Sequence, residues 1–175
     1  LSVGARVEEV LHAHLELSDL FRGIRHIASW DQSEEVGGSG RGPRVYRGAE
    51  IREGFARLGA LGLSFDAWNC VNQIPELVEL ARAFPETTII MNHLGGPVGI
   101  GPYAGRQREL FTEWQQQIAA LSTCDNIVLK LGGLGMPHTG HGWHEQERPP
   151  ASHAVAAAYR PYCLHAIEQF GPARC

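Results

Sequence analysis

Two hydrophobic periods take turns along this chain. Across residues 3–17 the apolar positions Val7, Val10, Leu11, Leu15 and Leu17 fall at helical spacing, with Arg6, Glu8, Glu9 and Glu16 between them. That spacing predicts a helix with one face on a core, ended at Ser18-Asp19. His12 and His14 read as surface residues of this helix. Residues 21–28 alternate at period two, which predicts a short strand with Gly23 and Arg25 on one face and Ile24 and His26 on the other. A helix over 51–58 and a turn at 59–62 follow. Residues 63–68 then alternate again, with Ser64, Asp66 and Trp68 on a shared face. Pro75 stands in the first turn of a helix predicted over 75–84, a position proline tolerates because its missing N–H has no helical partner there.

Thr87, Thr88, Ile89, Ile90 and Met91 form a β-branched and apolar run that predicts a buried strand. Asn92 and His93 place polar groups at its end, and Gly95-Gly96-Pro97 breaks it at once. A longer amphipathic helix is predicted over 107–121 and a strand over 126–131, ended by Gly132-Gly133-Leu134-Gly135. A polar loop over 136–150 leads to a last helix over 152–170, interrupted or reset at Pro161. Between the first two strands, residues 32–49 turn to Gly, Ser, Arg and Pro, which predicts an irregular excursion. Four strands alternating with helices argue for a parallel α/β sheet with right-handed crossovers. A barrel and an open doubly wound sheet both obey that rhythm.

With 175 residues, 43% apolar and 19% charged, the chain has material for one globular domain. Its net charge of −4 argues against nucleic acid as a partner, because phosphate binding needs a basic face. No apolar run is long enough to span a bilayer, and no leader pattern is visible. Four scattered cysteines, Cys70, Cys124, Cys163 and Cys175, form no metal or disulfide framework and read as free thiols of a cytoplasmic protein. The absence of an initiating methionine suggests a piece of a longer protein.

Several stretches together carry a resemblance. Phe21-Arg22-Gly23-Ile24-Arg25-His26 and Leu63-Ser64-Phe65-Asp66-Ala67-Trp68 resemble members of the amidohydrolase-related family, in its amidohydrolase 2 branch. So do Asn92-His93-Leu94-Gly95-Gly96-Pro97 and Val128-Leu129-Lys130-Leu131-Gly132-Gly133-Leu134-Gly135-Met136-Pro137. The resemblance covers essentially the whole chain. It implies a (β/α)₈ TIM barrel of metal-dependent hydrolases, with the site at the carboxyl ends of the strands. The chain then corresponds to roughly the fourth to the seventh strands, a single domain over 1–175 that is incomplete at both ends. The family's first-strand His-x-His pair and the site residue of its last strand would lie outside it. One departure lies inside: where the branch has a histidine-proline-glutamine stretch, this chain has Val71-Asn72-Gln73.

The resemblance implies hydrolysis of a cyclic ester or amide of a small acidic or sugar-derived substrate, lactones included. The wider family also implies an alternative, zinc-dependent non-oxidative decarboxylation of an aromatic acid, and a non-catalytic barrel fragment is the reading from another class. A divalent metal such as zinc is the implied cofactor, although some lactone-hydrolysing relatives work without one. His93 is the leading catalytic candidate, and would be the metal ligand if a metal is bound. Lys130, ending an otherwise apolar strand, is the second catalytic candidate, since a buried ammonium needs an anionic partner. Arg25 suits a substrate carboxylate, or an ion pair with Asp66. Asp66, Trp68 and Trp143 complete the substrate-binding set, Trp143 as an apolar wall. His26 reads as a satisfied core histidine. His138, His141 and His144 read as a polar substrate-covering loop rather than a metal cluster.

Overall fold

All strands of the sheet are parallel, and each pairs with the strand next to it in sequence. The computed structural model describes residues 1–175. The strands are β1 (Gly23–Ile27), β2 (Ser64–Trp68), β3 (Ile89–Met91) and β4 (Ile127–Leu129), in the order β1-β2-β3-β4. Helix α1 (Val7–Leu17) precedes them, and α2 (Ala49–Ala60), α3 (Ile74–Ala83) and α4 (Gln107–Ser122) form the crossovers. Helix α5 (Ser152–Phe170) follows β4. A doubly wound sheet reverses its strand order at a switch point. This sheet never reverses, so the helices collect on one side and the arrangement is a sector of a barrel.

The helix side forms the core. Phe65, Ala67, Ile89, Met91, Ile127 and Leu129 alternate onto it and are fully buried against Phe55 and Leu58 of α2, Leu77 and Leu80 of α3, and Ile118 of α4. Phe55 meets Phe65 edge-on with ring centroids 5.2 Å apart. Each such side chain contributes about 1.5–3 kcal/mol by leaving water. The opposite side carries the polar row: Arg25 pairs in register with Asp66, Asp66 with Ile90, and Ile90 with Val128. Nothing covers this inner side, and Ile27 is 50% exposed on it.

A buried amide joins the ends of β1 and β2. Gln73 Oε1 accepts the N–H groups of Trp30 at 2.9 Å and Cys70 at 3.1 Å. Its Nε2 donates to the carbonyl of Ala28 at 2.8 Å and to Glu76 Oε1 at 3.3 Å. Glu76 Oε2 accepts the N–H of Tyr46, whose hydroxyl donates to Asn69 Oδ1, each at 3.1 Å. The loop between β1 and α2 is thereby tied down at both ends.

Three expectations change. Strands β3 and β4 are shorter than the apolar runs suggest, because Asn126 Nδ2 donates to the carbonyls of Ala81, Phe84 and Thr87 and turns the chain before β4 begins. Helix α5 runs unbroken through Pro161, which lies on an exposed face where water can take the carbonyl left unbonded. His26 faces the helices and is only 6% exposed, but it is not satisfied, since its Nε2 has no hydrogen-bond partner. Burial chiefly, with the charge of Arg41 adding to it, pushes the His26 imidazole down to about 4.

Two outcomes follow from this architecture. Expressed by themselves, residues 1–175 should aggregate or oligomerise, because the inner face and both sheet edges are open; a monodisperse monomer with a cooperative melt in light scattering and calorimetry would contradict this. Neutral His26 stabilises the fold above the ordinary histidine value of 6.5, and that contribution is lost as pH falls toward about 4. His26→Leu in the intact protein should therefore flatten the loss of stability between those two pH values, read by urea titration at each.

Candidate active site at the strand ends

The inner face brings four polar side chains together. Asp66 Oδ2 accepts hydrogen bonds from Arg25 Nη2 at 2.8 Å and Lys130 Nζ at 2.9 Å. Arg25 Nη2 also donates to Asn92 Oδ1 at 3.1 Å, and Asn92 Nδ2 in turn donates to the carbonyl of Ala67 at 3.0 Å. Alternation explains the grouping: Arg25 and Asp66 are register partners, while Asn92 and Lys130 lie two residues beyond Ile90 and Val128 on the same face. Burial raises the Asp66 carboxyl, but the bonds and charges of Lys130 and Arg25 together outweigh it and hold it below the usual carboxylate value. Two cations thus meet one carboxylate. The Arg25 and Lys130 side chains are still 46% and 48% exposed, so they have N–H groups to offer a ligand.

His93 follows β3 in an unusual backbone. His93 and Leu94 have φ of 53° and 54°, and Gly95 and Gly96 continue at 77° and 63°. Left-handed geometry costs a residue with a Cβ roughly 1–2 kcal/mol, so the turn persists only because its surroundings hold it. Leu94 N–H bonds the carbonyl of Lys130 at 3.1 Å, and the N–H groups of Gly95 and Gly96 bond the carbonyls of Asn92 and His93, each at 3.0 Å. Gly133 and Gly96 are required here. A Cβ on Gly133 would overlap the His93 side chain, and one on Gly96 would overlap the carbonyl of Asn69. Desolvation first, then the charges of Arg25 and Lys130, lower the His93 pKa, against a smaller opposing effect of Asp66. The shift favours the neutral imidazole.

Trp68 stands edge-on between two histidines, its centroid 6.3 Å from His93 and 5.9 Å from His138. His138 arrives from the loop after β4, which is bonded to the loop after β3 through Gly99 N–H and the carbonyl of His138 at 2.8 Å. Burial first, and then repulsion from the His93 ring whenever that ring is protonated, lower the His138 pKa. Trp68 and His138 share a recess of about 160 Å³, and His93 and Lys130 line an open trough of about 780 Å³ along the inner face. The sequence offers no sign that His138 approaches Trp68, because the approach is made by a loop. Trp143 goes elsewhere: it stacks on His141 at 4.3 Å and leans on Tyr159 of α5 at 6.1 Å.

The residues present do not make a metal centre. No three His, Cys, Asp or Glu side chains converge, and Asp66 Oδ2 is already shared by two cations. His93 offers one imidazole nitrogen, and one ligand does not make a site.

Residues 8–175 match the family model described as Amidohydrolase. A curated relative, the uncharacterised protein y4mH of Sinorhizobium fredii (strain NBRC 101917 / NGR234), is 34% identical over 154 residues, covering 86% of this chain and 48% of its own length. Among solved structures, an amidohydrolase from Burkholderia multivorans with bound HEPES superposes with a TM-score of 0.73 at 20% identity, over 97% of this chain and 54% of its own. Another crystal form of it, with bound zinc, gives 0.72 at 19% identity, over 97% and 53%. A putative 2-pyrone-4,6-dicarboxylic acid hydrolase from Pseudomonas putida gives 0.57 at 19% identity, over 95% and 50%. These structures share the fold, a TIM barrel, and the chain spans about half the length of each protein it matches.

The Asp66 arrangement has a measurable signature. A carboxyl held below its unfolded value stabilises above that value, and the gain is lost as pH falls through the folded pKa. Asp66→Asn should therefore cost about 1 kcal/mol at pH 7, a half-exposed pair of cations being partly screened. The cost should shrink as pH falls below the ordinary carboxylate value of 3.8 and on through the lower folded one. Parallel urea titrations of both proteins over that range check it.

Proposed function

The chain belongs to the amidohydrolase family, and on that premise we propose that the protein is a hydrolase that opens a cyclic ester or amide of a small acidic substrate by attack of water. One observation carries the reading: Arg25 and Lys130 outnumber the carboxylate they share, beside a neutral imidazole at the same strand ends. The excess positive charge suits a substrate carboxylate, and the guanidinium fork suits two of its oxygens at once. His93 is close enough to the same trough to polarise the scissile carbonyl or to carry a proton for the leaving oxygen. Asp66, depressed and doubly bonded, is a poor base for water; its work is to hold the two cations. Trp68 supplies a flat apolar wall. The Pseudomonas structure supports this direction, since its described substrate joins a pyrone ring to two carboxylates.

Turnover of a panel of lactones by the intact protein tests the proposal. Carboxylated lactones should be hydrolysed and neutral ones poorly. Arg25→Met should raise KM for the carboxylated substrates about 10- to 100-fold, the size of a lost charge-assisted contact. His93→Asn should lower kcat about 100-fold or more. Release of carbon dioxide in place of a new carboxylate would assign the protein to the decarboxylases instead.

A further inference from the structure

The left-handed turn that carries His93 is fastened from behind by a residue of α4. Trp114 is 1% exposed, and its indole Nε1–H donates to the carbonyl of Leu94 at 2.7 Å. The indole is itself fixed, stacked on Phe111 at 5.5 Å, with Tyr162 edge-on at 4.7 Å and His165 tilted at 5.5 Å. Leu94 is fully buried, so its carbonyl has no access to water.

We propose that Trp114 is the positioning residue of His93, and that its indole N–H holds the left-handed turn in the one conformation that presents the imidazole at the strand ends. The inference rests on His93 acting at the site. The turn needs an external hold because two consecutive residues with side chains adopt positive φ. Its Leu94 unit is gripped on both polar groups: the N–H by the carbonyl of Lys130, at 3.1 Å, and the carbonyl by Trp114. The first grip ties the turn to β4 and the second ties it to α4. Without the second, the buried Leu94 carbonyl has no donor and the turn loses its tie to α4, so the backbone that aims His93 is free to rearrange. A buried indole N–H needs an acceptor, and the one it takes here is the carbonyl of the strained turn itself.

Trp114→Phe in the intact protein removes the donor and also reduces the bicyclic ring to a single six-membered one, so a packing control is read beside it. The variant should fold, hold KM within about twofold and lose at least tenfold in kcat, as small misplacements of a reacting group do. The His93 ring resonances, which sense the neighbouring Trp68 indole, should shift and broaden in its NMR spectrum. Phe111→Leu, which loosens the same packing without touching the donor, should lower the melting temperature and leave those resonances in place. Unchanged His93 resonances and unchanged kcat in Trp114→Phe would overturn the proposal, even with His93→Asn inactive and the hydrolase reading intact. Normal turnover by His93→Asn would instead defeat the role given to His93, and the resonances alone would then decide the positioning. Hydrogen exchange of the Trp114 indole N–H in the unaltered protein requires no variant to fold: protection close to that of the core amides supports the bond, and rapid exchange overturns it.

Discussion

One carboxylate oxygen holds the inner face of this sheet together. Asp66 Oδ2 reaches Arg25 on β1 and Lys130 just past β4, so a single atom links the first strand to the last across the site. Two cations brought to one face would repel each other and spread, and the shared anion turns that repulsion into a fixed geometry. Because each cation is half-exposed, the bonds orient the side chains without using up their capacity to bind. The same carboxylate therefore sets both the shape of the site and its surplus of positive charge.

The two sides of the sheet behave differently as a result. The helix side is dry, tightly packed and apolar, and it fixes the strand directions. Arg25 and Asp66 are set within β1 and β2, while Asn92, His93 and Lys130 come just after a strand, where the backbone leaves the ladder but not the scaffold. Strain is tolerated there: a turn with two non-glycine residues at positive φ persists because rigid elements flank it on both sides.

Much of this is legible in residue order. Period-two alternation places Arg25, Asp66 and Trp68 on one face, and a β-branched run ending in histidine and glycine marks His93. Those signals are local, written in residues one or two apart. The sense of the sheet needs its strand order, which periodicity does not contain, and the resemblance to a barrel family supplies what periodicity cannot. Trp114 is only one apolar position of an amphipathic helix to a reader of the sequence, since a side-chain donor meeting a carbonyl twenty residues away leaves no local trace. His138 reads as part of a covering loop for the same reason. Trp143 shows the converse: an aromatic residue in a polar loop suggests a substrate wall, but a histidine two residues before it and a tyrosine on α5 occupy its ring. Alternation puts His26 on the correct face, but whether a buried imidazole finds a partner depends on loops that pattern does not position.

The buried amide of Gln73 has a consequence for how such a protein can diverge. By clasping the backbone at Ala28, Trp30 and Cys70, and by reaching Tyr46 through Glu76, it separates the long excursion after β1 from the strand that launches it. Asp31, inside that excursion, is itself held by Asn72 and Tyr103, so freedom to change falls on the glycine-rich residues beyond it, away from Arg25 and Asp66. Variation in those residues is separated by the clasp from the charged centre on β1 and β2.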